Sequence, residues 1–513
     1  MFEKILMILI FVAMTVAIGI YCRRRATSVN SFVLGGRSVG PWLTAFAYGT
    51  SYFSAVIFVG YSGQFGWKYG IASTFIGVGN ALIGSLLAWV ILGRRTRVMT
   101  HHLDASTMPE FFEKRFDSKP LKIAAAIITF VFLIPYTASV YNGLSRLFGM
   151  AFGIDYTWCV LAMAALTAVY VILGGYTATA INDFLQGIIM LVGICAVIGA
   201  VLSGKGGFME AMTSLSQIPS EATGTAANMQ GAYSSFFGPD PLGLLGVVIL
   251  TSLGTWGLPQ MVQKFYSIKH ENDIKKGAII STLFAFVVAG GSYFLGGFGR
   301  LFGDVVEYNN GAPVYDSIIP SMLETLPDIL IGIVIILVLS ASMSTLSSLV
   351  LTSSSTLTLD LLRGSIIKNM SEKKQLLSIR ILVAVFIVIS AVIAIMQYHS
   401  ANAFIAQLMG ISWGALAGAF LAPFLYGLYM KRVTKAAVWV CFATGVGLTV
   451  SNMFIGFIDS PINAGAIAMA LGLIIVPIVS YLTPKPKNDV DSIFSCYEQK
   501  VLVRSKISID DDE

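Results

Sequence analysis

Charge is scarce in this 513-residue chain: Asp, Glu, Lys and Arg together make up 12%, against about 25% in a soluble domain. A surface so poor in charge cannot be wholly wetted, which excludes a disordered chain, a nucleic-acid-binding domain and an ordinary cytosolic enzyme. Histidine is scarcer still, with four copies. His101-His102 read as a solvated pair in a basic loop, without the convergent partners that a metal cluster needs. The five cysteines, Cys22, Cys159, Cys195, Cys441 and Cys496, are scattered and form no CxxC pair. Neither a zinc site nor a disulfide framework is indicated. There is no Walker motif, no Gly-rich phosphate loop followed by Lys-Ser/Thr and no kinase signature. Uphill transport by such a chain would have to draw on an ion gradient rather than on ATP.

What is abundant is apolar sequence: 56% hydrophobic residues and 50 glycines, the small residue that lets membrane helices approach closely. A helical span needs about 20 apolar residues, and lipid satisfies no backbone group, so helix is the forced conformation. Thirteen segments qualify: 5–22, 41–63, 71–92, 123–148, 157–173, 183–202, 242–262, 277–299, 328–355, 376–396, 403–430, 436–457 and 463–482. The first is not a cleaved leader, since Arg23-Arg24-Arg25 follow its apolar core and no small-residue cleavage site appears. The fold class is therefore all-α and polytopic.

Basic residues orient the spans. With the N-terminus outside, the inner loops and tail receive all of the 33 Lys and Arg except Lys4, Lys68, Arg146, Lys205 and Arg300. Lys264, Lys269, Lys275 and Lys276 count as one inner loop in this scheme, and Arg363, Lys368, Lys373, Lys374 and Arg380 as another. The C-terminus is then cytoplasmic and the protein a multi-pass component of the plasma membrane. The outer loop 203–241 is Ser/Gly/Ala-rich with little periodicity. The loop 301–327 is acidic, and the tail ends in Asp510-Asp511-Asp512-Glu513.

Two spans are interrupted. Tyr48-Gly49-Thr50-Ser51-Tyr52-Phe53-Ser54 lies inside the second, and Thr251-Ser252-Leu253-Gly254-Thr255-Trp256-Gly257-Leu258-Pro259-Gln260 inside the seventh. Gly and Pro cost roughly 1 and 3 kcal/mol in a helix interior, so unwound backbone is expected where it lines a cavity. Each interrupted span opens a run of five, and because five is odd the second run enters inverted. Matching interruptions in inverted halves point to a transporter's binding site.

The ninth span carries Ser340-Ala341-Ser342-Met343-Ser344-Thr345-Leu346-Ser347-Ser348. Ser340, Ser344, Ser347 and Ser348 share one helical face. Hydroxyls offer acceptor oxygens without charge, and with freed carbonyls they suit Na⁺. Singly, each could instead bond back to its own helix. Asp183, at the start of the sixth span, reads two ways: as an answer to the helix macrodipole, or as a functional acid entering the membrane.

At these residues the chain resembles the sodium:solute symporter family, over about residues 30–435. The resemblance is carried by Leu34-Gly35-Gly36-Arg37-Ser38, by Gly174-Gly175 before Asp183 and Gln186, and by Met343-Ser344-Thr345-Leu346-Ser347. It implies a five-plus-five inverted repeat with one leading and two trailing helices. The corresponding division is 1–40 leading helix and loop, 41–202 first repeat, 203–241 outer loop, 242–430 second repeat, 431–482 trailing helices and 483–513 tail. It implies a sodium site from the carbonyls of Thr50, Phe53 and Ala341 and the hydroxyls of Ser344 and Thr345. A second site, present in some members, would use Asp183, Ser344, Ser347 and Ser348, so one or two Na⁺ ions are co-transported.

The implied function is symport of a small solute through the bilayer, with no chemical conversion and no obligatory protein partner. Gly257-Leu258-Pro259, Ser267 and Lys269, with Tyr52-Phe53-Ser54-Ala55 before Phe58 and Gly60, are similar to the pantothenate carriers. The chain departs from the proline branch at Tyr52, Thr251 and Thr255. Exposed helix ends near Ser54 and Pro259 favour a carboxylate. Tyr52, Phe53 and Trp256 would wall an apolar body, Gln64 and Gln260 would orient polar groups, and Thr255 belongs to the same expected pocket; Tyr52 and Trp256 also read as plain packing aromatics. Proton coupling through Asp183, sodium-coupled sugar or sialic acid uptake, and a cation-leak channel or membrane sensor are the alternatives.

Overall fold

Helix starts in this chain are written by proline and by short polar caps. Pro41, Pro241, Pro259 and Pro461 each begin a helix, where a missing N–H costs nothing. The Asp240 carboxylate accepts the Gly243 N–H at 3.0 Å and Thr434 Oγ1 accepts that of Ala437 at 3.3 Å, satisfying first-turn donors. The computed structural model describes residues 2–24, 26–221, 227–367, 369–399, 405–486 and 489–498. Arg25, Lys368, Lys487, the first residues of the segment 403–430 and the acidic end of the tail lie outside them.

The leading helix is α1 (Phe2–Cys22). The first interrupted span comprises α2 (Pro41–Tyr52), a non-helical step at Phe53 and Ser54, a π-helical stretch (Val56–Tyr61) and α3 (Ser62–Tyr69). Next come α4 (Thr74–Gly79), continuing through π-helical Asn80–Leu87 and Trp89–Gly93, then α5 (Met108–Phe116), α6 (Lys119–Phe152) and α7 (Tyr156–Ser203). The second interrupted span is α8 (Pro241–Gly257) plus α9 (Pro259–Tyr266), bent by 47°. It is followed by α10 (Asp273–Gly296), α11 (Asp328–Thr356), α12 (Glu372–His399) and α13 (Ile405–Tyr429). The trailing pair is α14 (Lys435–Ile455) and α15 (Pro461–Leu482).

Among the described residues ten helices are long and apolar enough to cross a membrane, or eleven with α8–α9 taken as one span. The sequence expectation of thirteen differs because two stretches run together, Val56–His102 with 47 residues and α7 with 48. At 1.5 Å per residue each is about 70 Å of chain, more than twice the ~30 Å of hydrocarbon. Each changes direction at a glycine that only glycine can occupy: Gly70 has φ 61°, ψ −142° and Gly175 φ 55°, ψ −151°.

The two long loops expected on the outer side hold more structure than their composition suggests. Residues 203–241 contain the helix Phe208–Ser216. Residues 301–327 contain a two-stranded hairpin, Tyr308–Asn309 against Ala312–Pro313, and the helix Ile318–Glu324.

The core is centred on α11, buried on every side from Val334 to Thr356 apart from Ile336. It touches α1, α2, α6, α7 and α12. On the other side of the break, α13 packs on α6, α8, α14 and α15. Both tips of α13 are held by charged side chains. Asp316, buried in the segment 301–327, accepts the Ile405 N–H at 3.2 Å. Burial raises its carboxyl pKa to about 6, against the opposing pull of Arg146. At the other tip Arg115 donates to the carbonyls of Gly427 (2.8 Å) and Met430 (2.9 Å), the placement of a cation that a helix C-terminus favours. Pro423 lies within the helix between them.

Two cations assigned to inner loops by composition are therefore internal. Arg115 is fully buried, and Lys264 is 2% exposed on α9. Counting basic residues cannot distinguish a solvated loop from a short buried helix next to it.

Candidate functional site

Phe53 ends α2 in an extended conformation, φ −89°, ψ 122°. Leaving the helix there frees carbonyls that the next turn would have bonded. The chain re-enters helix with Ser54 as a cap: its Oγ accepts the Val56 N–H at 3.2 Å, and its carbonyl accepts those of Ile57 and Phe58 at 3.0 Å. Opposite the break lies α11. Ser344 Oγ stands 3.1 Å from the carbonyl oxygens of both Thr50 and Ala341. Thr345 Oγ1 is 3.1 Å from that of Ala341, 3.4 Å from Phe53 and 3.5 Å from Thr50. All five residues expected to form a sodium site thus converge, three by carbonyls and two by hydroxyls. Every one of these oxygens is neutral and buried, a donor set suited to a hard monovalent cation.

The residues expected around a second ion are brought together only in part. Asp183 lies two turns past the break at Gly175, fully buried, and neither carboxylate oxygen has a hydrogen-bond partner among the described residues. That position is beyond the first turn, where the macrodipole acts. Lys264 Nζ lies 4.0 Å from Asp183 Oδ2 and donates to Ser348 Oγ at 2.9 Å. Ser348 Oγ also meets Ser51 Oγ at 2.7 Å. Ser347 instead donates back to the Ser344 carbonyl at 2.9 Å, while Ser344 faces the first set. Ser340 Oγ is buried with no partner among the described residues.

The seventh span breaks at Leu258, φ −85°, ψ 121°. Near it, Tyr52 donates to the Thr251 carbonyl at 2.9 Å, and its ring lies 6.1 Å from that of Trp413. Trp413 in turn meets Tyr136 edge-on at 5.8 Å. Gln260, the second residue of α9, is 1% exposed, and neither end of its amide has a partner among the described residues.

These features decide the comparison with known proteins. The sodium:solute symporter family model matches residues 32–445. This chain belongs to the sodium:solute symporter family. The symporter is 28% identical to an osmoregulated proline transporter of Bacillus subtilis, over 97% of this chain and 98% of the relative. It is 30% identical to a sodium/proline symporter of Staphylococcus saprophyticus, over 86% and 84%. Its fold is that of a Na⁺-coupled sialic acid symporter in a substrate-bound outward-open state, with TM-score 0.73 at 16% identity, covering 95% and 99% of the two chains. A nucleobase-cation symporter, Mhp1, gives 0.51 at 14%, covering 91% and 98%. The five-plus-five architecture with broken first helices is thus the symporter's fold, and its activity is sodium-linked transport of a small solute rather than catalysis.

Part of the expected solute pocket is used otherwise. Trp256 donates its indole N–H to the Ile83 carbonyl at 3.0 Å, and Thr255 donates to the Gly84 carbonyl at 3.1 Å. Both bind α8 to the π-helical stretch beyond α4. The Phe53 ring packs edge-on against Phe58. Gln64 lies on α3 beside Gly63, where an added Cβ would meet Tyr315, Ile318 and Ile319 of the segment 301–327. It is about 15 Å of helix beyond the break. Pro259 opens α9. Sequence reasoning passed over Trp413 and Tyr136, aromatics inside otherwise apolar spans. It also passed over Lys264 as anything but a loop charge, although its place six residues past a helix-breaking Leu-Pro was a signal.

Proposed function

We propose that the symporter imports a small carboxylate-bearing solute of the amino-acid class, proline above all, with Na⁺ as the driving ion. The observation that carries this reading is the convergence of the Thr50, Phe53 and Ala341 carbonyls with the Ser344 and Thr345 hydroxyls. Na⁺ held there joins the unwound centre of one repeat to an intact helix of the other. The ion therefore favours one relative placement of the two, which is the requirement for coupling.

The solute lies, in this proposal, between the two breaks. Tyr52, Trp413 and Tyr136 supply an apolar wall. The N-terminus of α9 and the unpartnered amide of Gln260 supply the dipole and donors for a carboxylate. The named relatives at 28–30% identity are proline transporters, which weighs for proline over pantothenate. An outer N-terminus and inner C-terminus complete the reading. Each Na⁺ entering gains about 2.3 kcal/mol per 100 mV. One ion then sustains a solute gradient of at least tenfold, since a factor of ten is about 1.4 kcal/mol.

Uptake of radiolabelled proline into proteoliposomes, under an inward Na⁺ gradient and with K⁺ in its place, tests the proposal. Accumulation only with Na⁺, competed by unlabelled proline, is expected. Equal uptake in K⁺ rejects sodium coupling. Competition by pantothenate or sialic acid but not by amino acids rejects the solute class.

A further inference from the structure

Lys264 belongs to no part of the first oxygen set, yet it is buried in the middle of the molecule's polar interior. It sits on α9, the half-helix beyond the second break. Its ammonium donates to Ser348 on α11 at 2.9 Å, stands 4.0 Å from Asp183 on α7 and lies 5.2 Å from the Tyr176 ring centre. We propose that Lys264 is a tethered cation that fills the place of a second co-transported ion, and so fixes the symporter at one Na⁺ per solute. This rests on the sodium reading above.

The argument begins with Asp183. A buried carboxylate must be paired or hydrogen-bonded, and Asp183 has no hydrogen bond among the described residues. Its one ion pair among them is to Lys264. The ammonium is compact, monovalent and able to donate three hydrogen bonds. It therefore carries the same charge as Na⁺ and takes the same oxygen neighbours.

The hydroxyls support the same conclusion. Of the four groups expected around a second ion, Asp183 and Ser348 attend the ammonium. Ser344 is engaged with the Thr50 and Ala341 carbonyls, and Ser347 with the Ser344 carbonyl. Among the described residues, each of these four groups is already engaged. A second cation added beside Lys264 would leave the interior with two positive charges against one carboxylate. Because the ammonium is anchored to α9 by its stem, it balances Asp183 without itself crossing the membrane. It also links the two breaks: Ser348 meets Ser51 at 2.7 Å, and Ser51 adjoins the Thr50 carbonyl of the first set.

The test counts bound ions directly, using ²²Na⁺ on the purified full chain in nanodiscs against a K⁺ background. Wild type is expected to bind one ion per chain. Lys264→Ala is expected to bind two, and Lys264→Ala with Asp183→Asn to return to one. Should Lys264→Ala fail to fold, Lys264→Gln keeps a hydrogen-bond donor without the charge and should show the same gain at lower affinity. Two ions on wild type would overturn the tethered cation while leaving sodium coupling intact. So would one ion, with unchanged affinity, on a folded Lys264 variant. No bound ²²Na⁺ on wild type would instead defeat the sodium reading itself, and this inference with it.

Discussion

Phe53 and Leu258 hold nearly the same backbone conformation, φ −89°, ψ 122° and φ −85°, ψ 121°. At each, an extended residue separates the two helical segments of an interrupted span. Both angles lie in the ordinary extended region, and leaving the helix at each frees carbonyls that the next turn would have bonded.

Removing hydroxyls opposite the Phe53 break should weaken the ion without touching the solute wall. Ser344→Ala combined with Thr345→Ala is expected to raise the Na⁺ concentration for half-maximal uptake at least tenfold, about 1.4 kcal/mol. The solute KM at saturating Na⁺ should change far less. A Na⁺ titration of uptake in proteoliposomes checks this, and an unchanged midpoint would count against the assignment.

Gly175 should tolerate no side chain. It combines positive φ with a ψ of −151°, a region that is essentially glycine's alone. A Cβ there would meet the Phe32 carbonyl oxygen and ring at 2.8 Å. Gly175→Ala is expected to cost about 1–3 kcal/mol from backbone strain, with further loss from the contact. The readout is the yield of monodisperse protein and its apparent melting temperature, with Gly199→Ala, where nothing lies within 4 Å of the added carbon, as the control.

The sequence showed the fold more clearly than the site. Both helix breaks were legible because glycine and proline have large intrinsic costs inside a helix. Ser344 was legible because hydroxyls on one face of an apolar helix stand out, whereas Thr345 came only from the resemblance to the family. Lys264 was not, because hydropathy assigns a basic residue near a span end to water, and only tertiary packing reveals that α9 stays inside. The partners of Trp256 and Thr255 were not legible for a related reason: a polar atom near a break signals a hydrogen bond, but not that its acceptor is the carbonyl of Ile83 or Gly84.

Asp316 gives an acid-side signature. Burial raises its folded-state pKa to about 6, while an unfolded carboxyl titrates near 3.9. The folded state therefore binds the proton more tightly. The stability this contributes is fully present below about pH 4 and is lost as pH rises through about 6. Asp316→Asn still offers an acceptor to the Ile405 N–H and should flatten that part of the profile. Melting temperatures of both proteins between pH 4 and 7 check it; parallel curves would contradict the assignment.

Arg115→Met retains most of the side-chain volume but leaves the Gly427 and Met430 carbonyls without their donor. Hydrogen bonds to charged groups contribute about 1.5–3 kcal/mol each, so a loss of about 2 kcal/mol or more is expected. It should appear as a lower melting temperature and faster proteolysis near the C-terminal end of α13. Arg115→Lys, which lacks the forked geometry, should recover only part of it.

Because Asp316 and Arg115 clamp opposite tips of α13, this helix behaves as a beam supported at both ends. A load on such a beam cannot be relieved by sliding or by swinging as a lever. It must be taken up as flexure at mid-length, where Pro423 removes one backbone hydrogen bond. The bulky indole of Trp413 is carried on the arm between Ile405 and Pro423, so flexure at the proline would shift it against Tyr52 and Tyr136 while both supports stay fixed.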